Sequence, residues 1–163
     1  AFADVNRSFQ DSHLRIVGEG PELEKLITLT QRLGIQENVS FEDVVAHSKV
    51  STIMQESSIF VLPSMNEGFG LVLLESLANG LPAIAFNSGG VRDILSDGAG
   101  ILVEPGNVEQ LANAIKNLIT DKDLYAHIRK QGFQKSKNFS WDIVATKVSD
   151  IYESILEGNE KNN

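Results

Sequence analysis

Five short, mostly apolar runs alternate with longer amphipathic segments along this chain. The runs are residues 14–17, 39–41, 59–62, 83–86 and 101–103. Because a strand buried on both faces shows no polar alternation, such runs are typical of parallel strands with helices on both sides of the sheet. The amphipathic segments between them supply the crossover helices that parallel strands require. The pattern predicts an α/β fold, with a three-layer, Rossmann-like parallel sheet of about five strands and helices on both faces.

Turn and capping residues set the predicted helix boundaries. Pro21 at a first turn and Gly34 just past the end frame the first helix, and Asn107 followed by Gln110 forms a capping-box variant. The chain opens on the pattern of a helix end, whereas an α/β domain normally begins with a strand. We therefore expect the first strand–helix unit to lie upstream of Ala1. The predicted helices are residues 22–33, 48–57, 69–79, 107 to about 119, 125–137 and 141–156.

Length, charge and cysteine content exclude several classes of protein. The chain has 163 residues, a net charge of -8 and no cysteine. One core suits this length, the acidic balance argues against nucleic-acid binding, and neither disulfides nor thiolate metal sites can form. No apolar run approaches the ~20 residues that span a bilayer, and the first ten residues do not form a secretory signal. We expect a cytoplasmic protein with one domain at residues 1–157 and a disordered polar tail at 158–163.

The segment at residues 63–90 carries the strongest functional pattern. It follows the apolar run at 59–62, and ligands in open α/β sheets bind at the carboxyl ends of strands. Gly68 and Gly70 allow close backbone approach just before a helix N-terminus, whose free N–H groups and dipole attract anions such as phosphate. The alternative is that these glycines only form a tight strand-to-helix turn.

Two glutamates accompany these glycines. Glu75 lies in a predicted helix that is apolar on nearly every face, so we expect its carboxylate to be largely buried. A buried carboxylate needs a partner, either a structural cation or ligand hydroxyls such as a ribose diol, which we favour. Glu67 falls in the preceding loop and would face a different part of an extended ligand. Its alternative role is that of a solvated acid near the helix N-terminus.

The two acids belong to the sequence EGFGLVLLE, which is followed by A-x-G-x-P and a G-G pair. This segment resembles the E-x(7)-E signature of the family-4 retaining glycosyltransferases, which have the two-domain GT-B fold. Further pieces resemble family motifs in the same order: VGEGP at 17–21, PS at 63–64, GGVRDI at 89–94, GILV and PG within 100–106, and FSW at 139–141. The likeness covers nearly the whole chain. It implies the C-terminal half of a GT-B fold, the domain that binds the nucleotide sugar.

The resemblance implies a role for each residue of the pattern. Glu67 would be the catalytic residue that binds hydroxyls of the donor sugar, and Glu75 would hold the ribose diol. Backbone amides of residues 68–71 would meet the sugar and diphosphate, and two glycines of the first turn would let the nucleotide lie close. The implied donor-binding residues are Gly18, Gly20, Ser64, Gly68, Phe69, Gly70, Leu71 and Glu75.

The resemblance also implies a reaction. A hexose would pass from a nucleoside diphosphate sugar to a glycan, lipid or small-molecule acceptor with retention of anomeric configuration, and without a metal or other cofactor. Protein donors and dipoles would then stabilise the diphosphate leaving group. Acceptor contacts would come mostly from an N-terminal domain outside this chain, and so would any membrane association. We therefore expect this chain alone to be inactive.

Three departures from the family pattern bear on these expectations. The Arg and Lys that usually neutralise the diphosphate belong to the unit expected upstream of Ala1. Asp43 stands where the family often has Gly, so the base and the nucleotide (UDP, GDP or ADP) stay open. Asp93 replaces the usual Glu after the glycine pair.

Two other classes of function compete with this interpretation. Gly18 and Gly20 follow a strand as in a dinucleotide-binding (NAD-type) fingerprint, but Leu23 occupies the third glycine position, where it would hinder helix–strand packing. A non-catalytic, glycosyltransferase-like scaffold is the other alternative, although both glutamates are present.

Other acidic and histidine residues are not expected to form a site. Asp121 and Asp123 have the spacing of a metal-binding D-x-D motif, but they lie between two predicted helices, where acids cap and fill a first turn. His13, His47 and His127 share no helical face, so none is expected to be a ligand or a base.

Overall fold

A computed structural model describes residues 1–160, which form eight α-helices and five β-strands. In chain order these are α1 (Phe2–Ser8), β1 (Leu14–Val17), α2 (Leu23–Leu33), β2 (Val39–Glu42), α3 (His47–Glu56), β3 (Phe60–Leu62), α4 (Leu71–Ala78), β4 (Ala83–Phe86), α5 (Val91–Leu95), β5 (Ile101–Val103), α6 (Val108–Thr120), α7 (Lys122–Lys137) and α8 (Trp141–Glu160). Within this described range, none of the helices combines the length and the apolar character that crossing a bilayer requires.

All strand pairs are parallel. β1 pairs with β2, and β4 lies between β3 and β5. The predicted α/β class and parallel pairing are confirmed, whereas the strands form two hydrogen-bonded ladders instead of one sheet. The five strands fit the 3-2-1-4-5-6 order of a doubly wound sheet as its strands 2 to 6, and in that order the position of strand 1 lies between β1 and β3. In that order β1 and β3 are not neighbours, so no hydrogen bonds are expected between them, because paired strands lie only ~4.8 Å apart.

Alternate residues of the three-stranded ladder enter two hydrophobic clusters, one on each face. One cluster contains Leu73, Leu77, Ala83, Ala85, Val91, Ile94, Leu95 and Ala99. The other contains Ile84, Phe86, Val103, Leu111, Ala114, Leu118 and Ile128. Successive side chains of a strand point to opposite faces, so the uninterrupted apolar run of β4 reflects burial on both sides. This ladder therefore has the expected three layers, with α4 and α5 on one face and α6 on the other.

Helix boundaries differ from the predicted ones where local chemistry outweighs the apolar pattern. α4 begins two residues later than predicted, because Gly70 takes a left-handed conformation with a φ of 89°. α7 begins three residues earlier, because the Asp121 side chain accepts a hydrogen bond from the Leu124 N–H at 2.9 Å. The predicted cap at Asn107 is confirmed, since its side chain accepts from the Gln110 N–H at 2.9 Å.

Two features were not predicted from the sequence: the short helix α5 and the position at which α8 ends. α5 has only five residues, which is too few for helical periodicity to register. α8 continues to Glu160, so residues 158–160 of the expected tail are helical. Residues 161–163 of that tail lie outside the described part of the chain.

Candidate functional site

The loop at residues 63–70 connects the carboxyl end of β3 to the N-terminus of α4. No side chain caps this helix. The first N–H to reach an acceptor is that of Leu73, which donates to the Gly70 carbonyl at 2.9 Å, and the N–H groups of residues 68–71 donate no hydrogen bond to any described residue. Free N–H groups here carry the positive end of the helix dipole. Residues 68–71, the N–H cluster, thus present several donors at this edge of the sheet.

The glycine pair after β4 packs directly against this loop. The Gly90 N–H donates to the Gly68 carbonyl at 3.3 Å. A Cβ added at Gly89 would overlap the Glu67 carbonyl oxygen, and one at Gly90 would lie 2.7 Å from the Gly68 carbonyl oxygen. The close approach of two backbones therefore requires glycine at both positions. It fixes the backbone that carries Glu67.

Polar residues after β3 and β4 complete the same edge. Ser88 Oγ donates to the Ser64 carbonyl at 3.0 Å. The side-chain amide oxygen of Asn87 is buried and accepts no hydrogen bond from the described residues. A buried acceptor without a donor is costly, so a ligand hydroxyl or a water would stabilise it. Sequence analysis missed Asn87 and Ser88, although polar residues directly after a buried strand are a signal for this edge.

Aromatic packing ties the loop to a distant junction. Phe69 is 44% exposed, and its ring meets that of Phe139 edge to face, with centroids 6.0 Å apart. Phe139 lies between α7 and α8 within the FSW sequence, so this motif supports the loop. The side chain of Leu71 is exposed, which leaves its backbone N–H as the group that can contribute to the site.

Glu67 and Glu75 come from the loop and from the second turn of α4, respectively. Glu67 is half-buried. The Glu75 side chain is 37% exposed, so the expectation that it would be largely buried is wrong. α4 buries only one face: Leu73 and Leu77 are inaccessible, whereas Leu71 is 65% exposed. The Glu75 carboxylate therefore borders solvent, where a ligand can reach it.

His47, the first residue of α3, faces this carboxylate. Its Nδ1 lies 4.0 Å from Glu75 Oε1, and its side chain is 86% exposed. The prediction that no histidine is a ligand or a base is not tested by this proximity, which makes His47 a neighbour of Glu75. The pair depends on how α3 packs beside α4, which no spacing in the sequence reveals.

Gly18 and Gly20 lie in the turn after β1. The Gly18 N–H donates to the Glu42 carbonyl at the end of β2, at 2.9 Å, and the Gly20 carbonyl accepts from the Leu23 N–H at 3.1 Å. A Cβ at either glycine would have no neighbour within 4 Å. Open space therefore borders this turn, at the carboxyl end of β1.

An ion-pair network occupies the surface between β1, β2 and α3. Arg15 donates to Glu42 at 2.7 Å and to Glu56 at 2.9 Å. The hydrogen bond from Arg15 lowers the pKa of the Glu42 carboxyl, and these carboxylates raise the pKa of the Arg15 guanidinium. Asp43, next in sequence, is exposed. Among the described residues, no three acidic or histidine side chains converge as metal ligands would.

Comparisons with known proteins agree on one family. The model for "Glycosyl transferases group 1" matches residues 1–135. A glycosyltransferase of Haemophilus influenzae, itself uncharacterized, is 35% identical over 152 residues, covering 92% of this chain and 41% of that protein. The chain spans less than half the length of this relative and of two other curated relatives that it matches.

Solved structures share the fold. Sucrose-phosphate synthase from Thermosynechococcus elongatus has a TM-score of 0.82 at 25% identity, over 96% of this chain and 42% of that one. Anabaena HepE in complex with UDP has a TM-score of 0.82 at 24% identity, over 94% of this chain and 44% of that one. The family match favours a glycosyltransferase over the dinucleotide-binding alternative. The chain belongs to the group 1 glycosyl transferases.

Proposed function

We propose that this domain binds the nucleotide-sugar donor of a retaining glycosyltransferase, which transfers a hexose from a nucleoside diphosphate to a glycan, lipid or small-molecule acceptor. The observation that carries the proposal is the N–H cluster at residues 68–71, with Glu67 before it and Glu75 after it. Helix N-termini at the carboxyl edge of an α/β sheet bind phosphates well. Membership of the glycosyl transferase family supports the same substrate class.

Each part of the site suits one part of such a ligand. The N–H cluster donates to the diphosphate, whereas Glu67 and Glu75 accept from hydroxyls of the sugar and ribose, because an ionised carboxylate can only accept. The open space beside Gly18 and Gly20 receives the nucleoside. The UDP complex of Anabaena HepE supports a nucleoside diphosphate as the ligand class.

Hexose transfer breaks the bond between the anomeric carbon and the diphosphate oxygen and forms one to the acceptor oxygen on the same face of the ring, while the proton of the acceptor hydroxyl passes to the leaving diphosphate. The leaving diphosphate gains negative charge as the bond breaks. The N–H cluster and the dipole of α4 stabilise that charge without reorganising. We propose that the reaction uses no bound metal or other cofactor. We also propose that the protein is cytoplasmic, since a chain without cysteine requires no oxidising compartment.

The proposed reaction takes place between this domain and an N-terminal acceptor-binding domain, so this chain alone transfers no sugar. Its affinity for a nucleotide sugar is also weak. Glu67, Glu75 and the net charge of -8 disfavour a diphosphate, most strongly at low salt. An upstream strand–helix unit carrying Arg and Lys would raise the affinity through charge-assisted hydrogen bonds to phosphate.

Calorimetric titration with UDP, GDP and ADP tests this proposal. The chain and a version extended upstream by one strand–helix unit should bind the same nucleotide, the extended version more tightly. Equal affinity, or measurable transfer by the chain alone, would mean that the phosphate site is misplaced. Binding by the complete enzyme without transfer to any acceptor would favour the non-catalytic scaffold, and a fluorescence titration with NADH tests the dinucleotide alternative.

A further inference from the structure

α3 and α4 run side by side in the same direction and touch through polar side chains. At one level Ser51 Oγ and Gln55 Nε2 both donate to Asn79 Oδ1, at 2.6 and 3.1 Å. One turn earlier on each helix, His47 faces Glu75 at 4.0 Å. Residues four apart lie on one face of a helix, so these five side chains lie along one line between the two helices, the α3–α4 seam.

The seam sets where the Glu75 carboxylate can lie. Asn79 also binds back to α4, because its Nδ2 donates to the Glu75 carbonyl at 2.9 Å. The register between the helices is thus fixed one turn C-terminal to the Glu75 carboxylate. A carboxylate that accepts from two neighbouring hydroxyls must be held in one orientation. From across the seam, His47 places its Nδ1 4.0 Å from the Glu75 carboxylate.

We propose that His47 is a positioning residue for Glu75, which it holds in the orientation that receives the ribose diol of the donor nucleotide. This inference rests on the proposed function, since it assumes that Glu75 contacts the ribose. The pair is exposed, so it contributes little to the stability of the free domain. A bound nucleoside excludes water from both side chains and strengthens their interaction. The effect of His47 therefore belongs to nucleotide affinity and depends on Glu75.

A double-mutant cycle on the complete 163-residue chain tests this. The ligand is whichever of UDP, GDP and ADP the wild type binds, together with its 2′,3′-dideoxy form, and affinity is measured by calorimetry. His47→Ala should weaken the ribonucleotide roughly two- to fivefold, as expected for the loss of one exposed polar contact. It should have no effect in a Glu75→Gln background or on the dideoxy nucleotide. His47→Asn should restore most of the affinity, because its side-chain amide can donate to the Glu75 carboxylate.

Lys49→Ala is the matched control, since it removes a cation from the same exposed turn of α3 and should leave affinity unchanged. An equal loss from His47→Ala in the presence and absence of Glu75 would overturn the inference and make His47 a direct ligand contact. Unchanged binding by His47→Ala would overturn it as well. If the wild type bound none of the three nucleotides, the proposed function would fail and this inference with it.

Discussion

Gly89 is the residue whose replacement tests the loop most directly. Its φ of 54° is in the left-handed region, and a Cβ there would overlap the Glu67 carbonyl oxygen. Gly89→Ala should therefore displace the backbone of Glu67, lower the free energy of unfolding and abolish nucleotide binding. Chemical denaturation and calorimetry measure the two effects.

Gly34→Ala is the control that shows the cost of conformational strain without a steric overlap such as the one at Gly89. Gly34 has a φ of 68° but open space around its missing Cβ, so its substitution should cost only the ~1–2 kcal/mol of a left-handed alanine. Gly89→Ala should cost roughly 1–3 kcal/mol more, as overpacking substitutions do. Equal costs for the two variants would show that the loop moves freely away from Gly89.

Substitutions of the two glutamates should affect different ligands. Glu75→Gln should weaken a nucleoside diphosphate by about 1 kcal/mol, because it weakens the ribose hydrogen bonds at a partly exposed carboxylate. Glu67→Gln in the complete enzyme should spare the nucleoside diphosphate and reduce turnover of the nucleotide sugar. Calorimetry and steady-state kinetics measure the two quantities. Equal weakening of the nucleoside diphosphate by both variants would contradict the assignment of one acid to each end of the donor.

Sequence reasoning singled out candidate site residues through their local position and missed candidates that depend on packing. Glu67 and Glu75 follow from the spacing around a strand end, and the structure places them before and after the N–H cluster. Asn87 follows a strand too, but its importance comes from an amide oxygen that burial leaves without a donor. The burial of Glu75 was mispredicted because composition alone does not say which face of α4 meets the core.

Among the elements, α8 makes the least contribution to the packed domain. Val144, Val148, Ile151 and Ile155 form an apolar stripe along it, yet every described side chain from Trp141 to Leu156 is exposed. Because its apolar face is not buried, α8 gains little hydrophobic stabilisation. Ending the chain after Ser140 should change the free energy of unfolding by less than about 0.5 kcal/mol, the usual range for surface changes.

A substitution in α6 provides the comparison. Leu118 is 2% exposed and packs in the second cluster, so Leu118→Ala should cost ~2–5 kcal/mol. Both variants can be measured by urea denaturation. A loss on truncation as large as that from Leu118→Ala would mean that α8 packs against the domain in solution.

At the scale of helices and strands, how well each element was predicted depended on its length and on how regular its sequence pattern is. The five strands were predicted to within one residue at either end, because each is a short apolar run between turn residues. α5 was missed because its five residues are too few for helical periodicity to register. The split into two ladders depends on strand order, which no local pattern encodes.

Across the whole molecule, carboxylates paired with lysine predict how stability falls in acid. Asp4 in α1 binds Lys116 in α6 at 2.7 Å, and this hydrogen bond, followed by that from Arg7, holds the pKa of Asp4 below its usual 3.8. Below that value the unfolded chain takes up a proton that the folded chain does not. The stabilisation is therefore complete above pH 3.8 and is lost as the pH falls through the lower folded pKa.

Lys116→Met should reduce this dependence. The difference in unfolding free energy between wild type and variant should be larger at pH 6 than at pH 2.5, as measured by denaturation across the acid range. A Lys135→Met variant should behave alike, because Lys135 lowers the pKa of Asp97 in the same way. A difference that does not change with pH would mean that neither lysine acts through charge.

The division into two ladders has a consequence for amide hydrogen exchange. The two hydrophobic clusters draw their members from residues 59 onward, apart from Ala1, so the unit of β1, α2 and β2 should open at lower free energy than β4. That unit carries Gly18 and Gly20, and α3 carries His47, whereas the N–H cluster belongs to the more stable part. A nucleotide bound across both would have to hold the unit closed, and its binding energy would slow exchange in β1 and β2 far more than in β4.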